Sequence, residues 1–283
     1  MSIRTIIMPF ATLENAQERM QGALNVAKYF QAHLEVLHSQ VGSNQLLPEE
    51  IRLLSSKLYS RIDQLVSNYI EESMVESKVE FEQICNKLGV TTGEGNGNEA
   101  SATWLDMFGY RAETVAERGK VSDLIIIPKS IDGKNSVSFQ AAIDHGCNPV
   151  LIMPRTQTEF SPKTIVIAWN GDDAGARAVS AAIPVLQKAD RVVIVTSERS
   201  LLKKPTQQDL QVFLKRHLID SECVSFSTSR LNTPRNILKV AQDQEADLIV
   251  AGALVHQKLH KQMFGGVTQK LLRHTHIPLF MMA

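Results

Sequence analysis

Several stretches of this 283-residue chain carry residues whose type and spacing can do chemistry. The most informative begins at Asp247-Leu248-Ile249-Val250-Ala251-Gly252. A polar loop follows, then Phe264-Gly265-Gly266-Val267-Thr268, an amphipathic run, and Pro278-Leu279-Phe280-Met281-Met282. A short apolar run ending in glycine reads as a buried parallel strand. After the glycines, Val267, Leu271 and Leu272 share one helical face, with Gln269, Lys270 and Arg273 opposite. A strand end joined to a glycine-led helix start can hold an anion. Its free N–H groups point outward, the helix dipole favours negative charge, and glycine admits a close approach. A strand end followed by a plain chain reversal is the competing reading.

A second stretch is Ile165-Val166-Ile167-Ala168-Trp169-Asn170-Gly171, followed by Asp172 and Asp173. Either aspartate can cap the next helix, and together they can hold magnesium on a bound triphosphate. Capping is the simpler reading. His256 and His260 have the spacing of metal ligands on one helix face. No carboxylate or cysteine lies nearby in sequence, so loop polarity accounts for them better. Arg199, Lys203 and Lys204 read as a solvated basic loop before Pro205. The glycine- and asparagine-rich segment from Thr91 to Glu99 lacks the lysine and hydroxyl of a phosphate loop and reads as a connection. No Gly-x-Ser-x-Gly elbow is present, so no hydrolase triad is expected.

The elements that position these residues alternate. Arg4–Pro9 and His33–His38 read as strands, with a helix over Leu13–Phe30 between them. Pro48–Glu72 has helical spacing (Ile51, Leu54, Leu58, Ile62, Leu65). Val79–Cys85 alternates and reads as a strand; Ala100–Gly119 reads as a helix. Asp123–Pro128 and Pro149–Met153 read as strands around a short helix, Val137–Asp144. In the remainder, strands are expected at Thr164–Trp169, Arg191–Ser197 and Cys223–Ser229, and helices at Asp172–Lys188, Thr206–Leu218 and Thr233–Gln244, the last with Pro234 in its first turn. Alternating strands and helices imply right-handed crossovers onto a parallel sheet covered on both faces. Ligands of such sheets bind outside the carboxyl ends of the strands.

The chain repeats itself. Asp123-Leu124-Ile125-Ile126-Ile127 leads to Pro149-Val150-Leu151-Ile152-Met153 as Asp247-Leu248 leads to Pro278-Leu279, and Thr5-Ile6-Ile7-Met8 aligns with Thr164-Ile165-Val166-Ile167. Two domains are expected, 1–155 and 162–283, divided in the polar stretch between Arg155 and Pro162. Thirty basic residues balance thirty acidic ones, which removes the electrostatic pull of a general nucleic-acid binder. No apolar run approaches a membrane span, and the start lacks a secretory h-region. The three cysteines, Cys85, Cys147 and Cys223, form no CxxC pair and read as reduced thiols of a cytoplasmic protein.

These residues carry a resemblance. The second half resembles a universal stress protein domain, and the whole chain resembles a tandem protein of that family. The family's nucleotide-binding members carry G-x2-G-x9-G-[ST] after the fourth strand. Here Gly252 takes the first place, Val255 the second, Gly265 the third and Gly266 the hydroxyl place, with Thr268 two residues on. Asn170 stands where members usually have a nucleotide-contacting aspartate. The resemblance implies an α/β fold: two tandem Rossmann-like, adenine nucleotide alpha hydrolase-like domains, each a five-stranded parallel sheet flanked by helices. It implies ATP or another adenine nucleotide, with magnesium, in the second half. The base would lie near Ala168, Trp169, Val195 and Thr196, the ribose near Asn170, and the phosphates over Gly265, Gly266 and Val267.

In the first half proline stands at 128 in place of the first glycine, the loop is shorter and no double glycine precedes the helix, so no nucleotide is expected there. Lys129, Lys134 and Ser136 leave room for some other anion. The implied role is a stress sensor or regulator with at most slow ATP hydrolysis. Pairing of the two last strands within the chain, a homodimer, and protein partners of unknown kind are further implications. A scaffold that binds no nucleotide, and a binder of another small ligand against the apolar 48–72 helix, remain alternatives.

Overall fold

The computed structural model describes residues 2–11, 14–41, 51, 55–131, 136–145, 148–227, 233–253, 255–258, 261–264 and 266–283. In chain order the first half gives β1 (Thr5–Phe10), α1 (Ala16–Phe30), β2 (His33–Gln40), α2 (Ser56–Leu88), β3 (Thr91–Thr92), β4 (Ser101–Phe108), α3 (Arg111–Arg118), β5 (Leu124–Pro128), α4 (Val137–His145) and β6 (Val150–Met153). The second half gives β7 (Thr164–Ala168), α5 (Asp173–Leu186), β8 (Arg191–Ser197), α6 (Gln207–Arg216), β9 (Glu222–Phe226), α7 (Thr233–Asp243), β10 (Leu248–Gly252), the strand pair β11 (Val255–Lys258) and β12 (Lys261–Phe264), α8 (Gly266–His274) and β13 (Leu279–Met282).

The main sheet has eleven strands in the order β3-β4-β2-β1-β5-β6-β13-β10-β7-β8-β9. Within each half every pairing is parallel. At the middle β6 meets β13 antiparallel, with Ile152 opposite Leu279 and Val150 opposite Met281. The fold is α/β with helices on both faces, as the alternating elements predict. One layer packs Ile6, Met8, Leu34, Ile165 and Ile167 under α1, the end of α2, and α5. The other packs Ile125, Ile127, Val166, Val193 and Ile249 under α3, α4, α7 and α8. No helix among the described residues is long and apolar enough to cross a membrane.

Two expectations fail in the first half. Val79–Cys85 is not a strand but the last part of α2. Its buried side chains, Ser77, Phe81 and Cys85, recur every four residues and face α1, whereas Gln83, which the alternating reading needs inside, is exposed. Ser101–Phe108 is a strand, not helix, and only Arg111–Arg118 of that segment is helical. Ala102 and Trp104 enter one layer, while Leu105 and Met107 pack against the other. A strand covered on both faces loses its period of two. Of the 48–72 helix, residues 48–50 and 52–54 (with Leu54) lie outside the described residues, and α2 starts at Ser56 and runs on to Leu88.

The two Asp-Leu repeats have a common physical cause. Asp123 Oδ2 accepts from the backbone N–H groups of Arg4 and Thr5, at 2.8 and 2.9 Å. Asp247 Oδ2 accepts from those of Lys163 and Thr164, both at 2.9 Å. Each carboxylate thus fastens the start of the first strand of its half to the start of the neighbouring strand. Replacing Asp247 with Ala removes both acceptors. Urea denaturation is expected to show a loss of about 1–2 kcal/mol, the lower part of the range for charged hydrogen bonds because the group is exposed. The same loss is expected for Asp123→Ala.

Candidate functional site

The carboxyl ends of β7, β8 and β10 open onto a cavity of about 500 Å³. β7 and the turn after it contribute Ala168, Trp169, Asn170 and Asp172. Val195 and Ser197 come from β8, and Arg199, Ser200 and Lys203 from the short helical turn and loop that follow. Phe226 ends β9, Thr233 and Ile237 come from α7, and Ala251 and Gly252 end β10. Val267, Thr268 and Leu271 close it from the first turns of α8. One side is thus apolar, one carries an amide and a carboxylate, and two cations stand on the rim.

The turn after β7 is tightly built. Asn170 Nδ2 donates to Asp172 Oδ2 at 2.7 Å, and the Asp172 N–H donates to Asn170 Oδ1 at 3.2 Å. Asp172 caps α5, its Oδ1 accepting from the Gly175 N–H at 2.7 Å. Each oxygen of Asp172 therefore already accepts one hydrogen bond within the turn. No group of three or more metal-ligating side chains occurs among the described residues. Gly171 has φ +74°, and a Cβ there would lie 2.9 Å from the Pro205 carbonyl oxygen. That carbonyl also accepts from Trp169 Nε1 at 3.1 Å. The close approach draws the loop ending at Pro205 against the turn and sets Lys203 on the rim of the cavity.

Of the residues singled out by the sequence, Ala168, Trp169, Asn170, Val195, Gly252, Val267 and Thr268 line this one cavity. Thr196 does not. Val195 and Ser197 face the cavity, so the alternation of the strand turns Thr196 to the other layer. There its hydroxyl is buried with no hydrogen-bond partner. Thr268 lies inside the first turn of α8. Gly266 opens α8 with free space around its α-carbon. Gly265 and His260 lie outside the described residues, and of Val255 only its place at the start of β11 is described. The polar loop is a two-stranded hairpin, with Val255 opposite Phe264 and Lys258 opposite Lys261. His256 is thus on a strand and not on a helix. Sequence reading missed Arg199 and Lys203 as cavity residues because a basic loop gives no periodic signal. It also missed Ser197, Phe226 and Ile237.

The first half keeps the strand ends and loses the space. Ala253 N donates to the Met282 carbonyl oxygen, and Lys129 N donates to that of Met153, both at 2.8 Å. Among the described residues, a cleft of about 20 Å³ lies beside Lys129, bounded by Pro128, Ser136, Phe139 and Leu272. Asp132 to Asn135, including Lys134, lie outside the described residues. Past β1, Arg19 lies over the Phe10 ring and donates to the carbonyl oxygens of Ala11 and Asn15. Burial, then repulsion from Arg155 and Arg111, lowers its pKa to about 10. Burial also lowers the pKa of Lys129, whose Nζ donates to the Thr275 carbonyl oxygen.

The sequence model of the universal stress protein family matches residues 161–282. Residues 161–282 thus carry a universal stress protein domain. The cavity lies wholly within the matched residues. None of the curated proteins compared matches the sequence. Among solved structures, a universal stress protein from Archaeoglobus fulgidus DSM 4304 matches 98% of this chain and 97% of its own, with 15% identity and a TM-score of 0.71. A functionally unknown protein from Pseudomonas aeruginosa PAO1 matches 99% of this chain and 92% of its own, with 14% identity and a TM-score of 0.55. These likenesses show the fold of the whole chain. A universal stress protein in complex with cAMP matches 55% of this chain and 99% of its own, at 12% identity and a TM-score of 0.35; a likeness of that size says nothing about what this chain binds.

The first glycine of the universal stress protein motif has a structural task of its own here. A Cβ on Gly252 would lie 2.5 Å from Gly175 N and 2.8 Å from the Ala174 carbonyl carbon. The start of α5 therefore rests directly on the end of β10. Gly252→Ala is expected to push that backbone away and to cost about 1–3 kcal/mol. A thermal melt of the variant checks it; an unchanged Tm would show that the contact yields freely.

Proposed function

We propose that the second half binds ATP or a related adenine nucleotide in the 500 Å³ cavity, and that the chain acts as a cytoplasmic stress sensor or regulator. The observation that carries the reading is the meeting of Gly252, the first turn of α8 and the carboxyl ends of β7 and β8 in one cavity inside the matched residues. The donor set fits a nucleotide. Val195, Phe226 and Ile237 offer an apolar wall for a base. The amide of Asn170 and the carboxylate of Asp172 can meet ribose hydroxyls. The start of α8 at Gly266–Thr268 offers free backbone N–H groups to phosphate, and Arg199 and Lys203 add positive charge. Magnesium, where present, would be held by phosphate oxygens and water. Binding and not turnover is the proposed activity. Cys85 suits a reducing compartment: it is a free, buried thiol whose pKa burial raises to about 12, with Glu82 adding to the effect.

Two measurements test the reading. Mass spectrometry of the denatured protein, purified without added nucleotide, is expected to find an adenine nucleotide, or else calorimetry is expected to detect ATP binding. A Trp104→Phe variant leaves Trp169 as the only indole, and nucleotide should change its emission because the residue lines the cavity. Arg199→Glu and Lys203→Glu should each weaken ATP binding by tenfold or more while leaving adenosine binding nearly unchanged. Absence of released nucleotide, of heat on titration and of any Trp169 response would overturn the proposal. It would leave the scaffold or the binder of another ligand.

A further inference from the structure

Helix α2 is thirty-three residues long, yet its buried side chains are Ser77, Phe81 and Cys85, all toward its C-terminal end. The part from Ser56 to Glu76 extends roughly 30 Å at 1.5 Å per residue. Along it runs an apolar stripe at spacings of four, three and four: Leu58, Ile62, Leu65 and Tyr69. Leu58 is 46% exposed, Leu65 69% and Tyr69 73%. Ile62 is half-buried, as are Tyr59, Val66, Ile70 and Met74 on the neighbouring face, so the open part of the stripe is Leu58, Leu65 and Tyr69. The stripe has the period of a helix-pairing seam.

The charges say what covers it. The basic residues of this part, Lys57 and Arg61, stand at its start; Glu71, Glu72 and Glu76 stand at its end, with Asp63 between. On the stripe itself the apolar positions are followed by Glu72 and Glu76 at the same helical spacing. Two basic against four acidic residues disfavour an anionic lipid surface. A parallel pair would set Glu72 on Glu72 and Arg61 on Arg61. An antiparallel pair sets the basic end of each copy against the acidic end of the other.

We infer that residues 56–76 of α2 form an antiparallel contact with the same helix of a second copy of this chain, about a two-fold axis near Leu65. In that register Leu65 meets its own copy, Ile62 meets Tyr69, and Leu58 covers the stem of Glu72. Lys57 and Arg61 then reach Glu72 and Glu76. The contact is isologous and closes at two copies. It uses no residue of the nucleotide cavity, so it stands whether or not that reading holds.

Sedimentation of the full chain at increasing concentration tests it. The expected species is twice the chain mass of 31.4 kDa. Leu65→Glu, at an exposed position, should return the monomer with unchanged circular dichroism and Trp169 emission. Arg61→Glu alone should weaken the dimer at least tenfold. Arg61→Glu with Glu72→Arg should restore it, because the pair is re-formed with signs exchanged. Leu65→Cys should give a disulfide-linked dimer above the wild-type background. A monomer at every concentration, a dimer undiminished by Leu65→Glu, no restoration in the double variant, or binding to anionic vesicles in place of self-association would each overturn the inference.

Discussion

The molecule depends on the antiparallel pairing of two four-residue strands. In β6 every side chain from Val150 to Met153 is buried, and in β13 so are Leu279, Phe280 and Met281. Either strand left as an edge would expose unpaired backbone groups beside apolar surface, the usual route to aggregation. Set against each other, they convert two parallel sheets into one sheet and remove both edges. The junction is also braced across its faces. Lys188 Nζ donates to the Tyr29 carbonyl oxygen at 2.6 Å and lies 4.6 Å from the centre of that ring. Phe160, in the segment joining the halves, packs edge-on to Tyr29 at 5.2 Å. Asn25 Nδ2 holds the Thr158 carbonyl oxygen at 2.8 Å.

This junction links the cavity to the other half. Helix α8 supplies Val267, Thr268 and Leu271 to the cavity wall. One residue on, Leu272 reaches the narrow cleft of the first half, and just past the helix the Thr275 carbonyl oxygen accepts from Lys129. The halves have thus diverged around a shared helix. Where the second half has Gly252, the first has Pro128, which removes a backbone donor. Where the second half has space, the first has Phe139 and the buried guanidinium of Arg19.

How much of this was legible in the sequence follows from what each residue must satisfy. The repeated Asp-Leu starts, the apolar strand runs and the cap at Asp172 are local signals, and each holds in the structure. The two errors arose where tertiary covering overrides local pattern. Ser101–Phe108 is covered on both faces and so lost its alternation. Val79–Cys85 alternates by accident, and its four-residue recurrence shows only once α1 is seen against it. At the cavity, residues fixed by strand ends were legible and those on the loop after β8 were not. Arg199 and Lys203 reach the rim because Gly171 admits the Pro205 carbonyl, a contact across more than thirty residues that no spacing announces.

The altered motif makes physical sense as a trade between two walls. On one side the chain is tied down: Gly252 rests on the Ala174–Gly175 backbone, and Asp172 and Asn170 lock the turn below it. On the other, the segment after Gly252 forms a hairpin, which a β-branched Val255 suits better than glycine. A hairpin spends its backbone N–H groups on its own ladder and has fewer to offer an anion. Any grip on negative charge then shifts to the start of α8, where the helix leaves donors unpaired, and to Arg199 and Lys203 across the cavity. The loss of the motif's hydroxyl at Gly266 is consistent with that shift. The neighbouring wall comes from Thr268, two residues further into the helix, and Arg199 and Lys203 stand outside the motif.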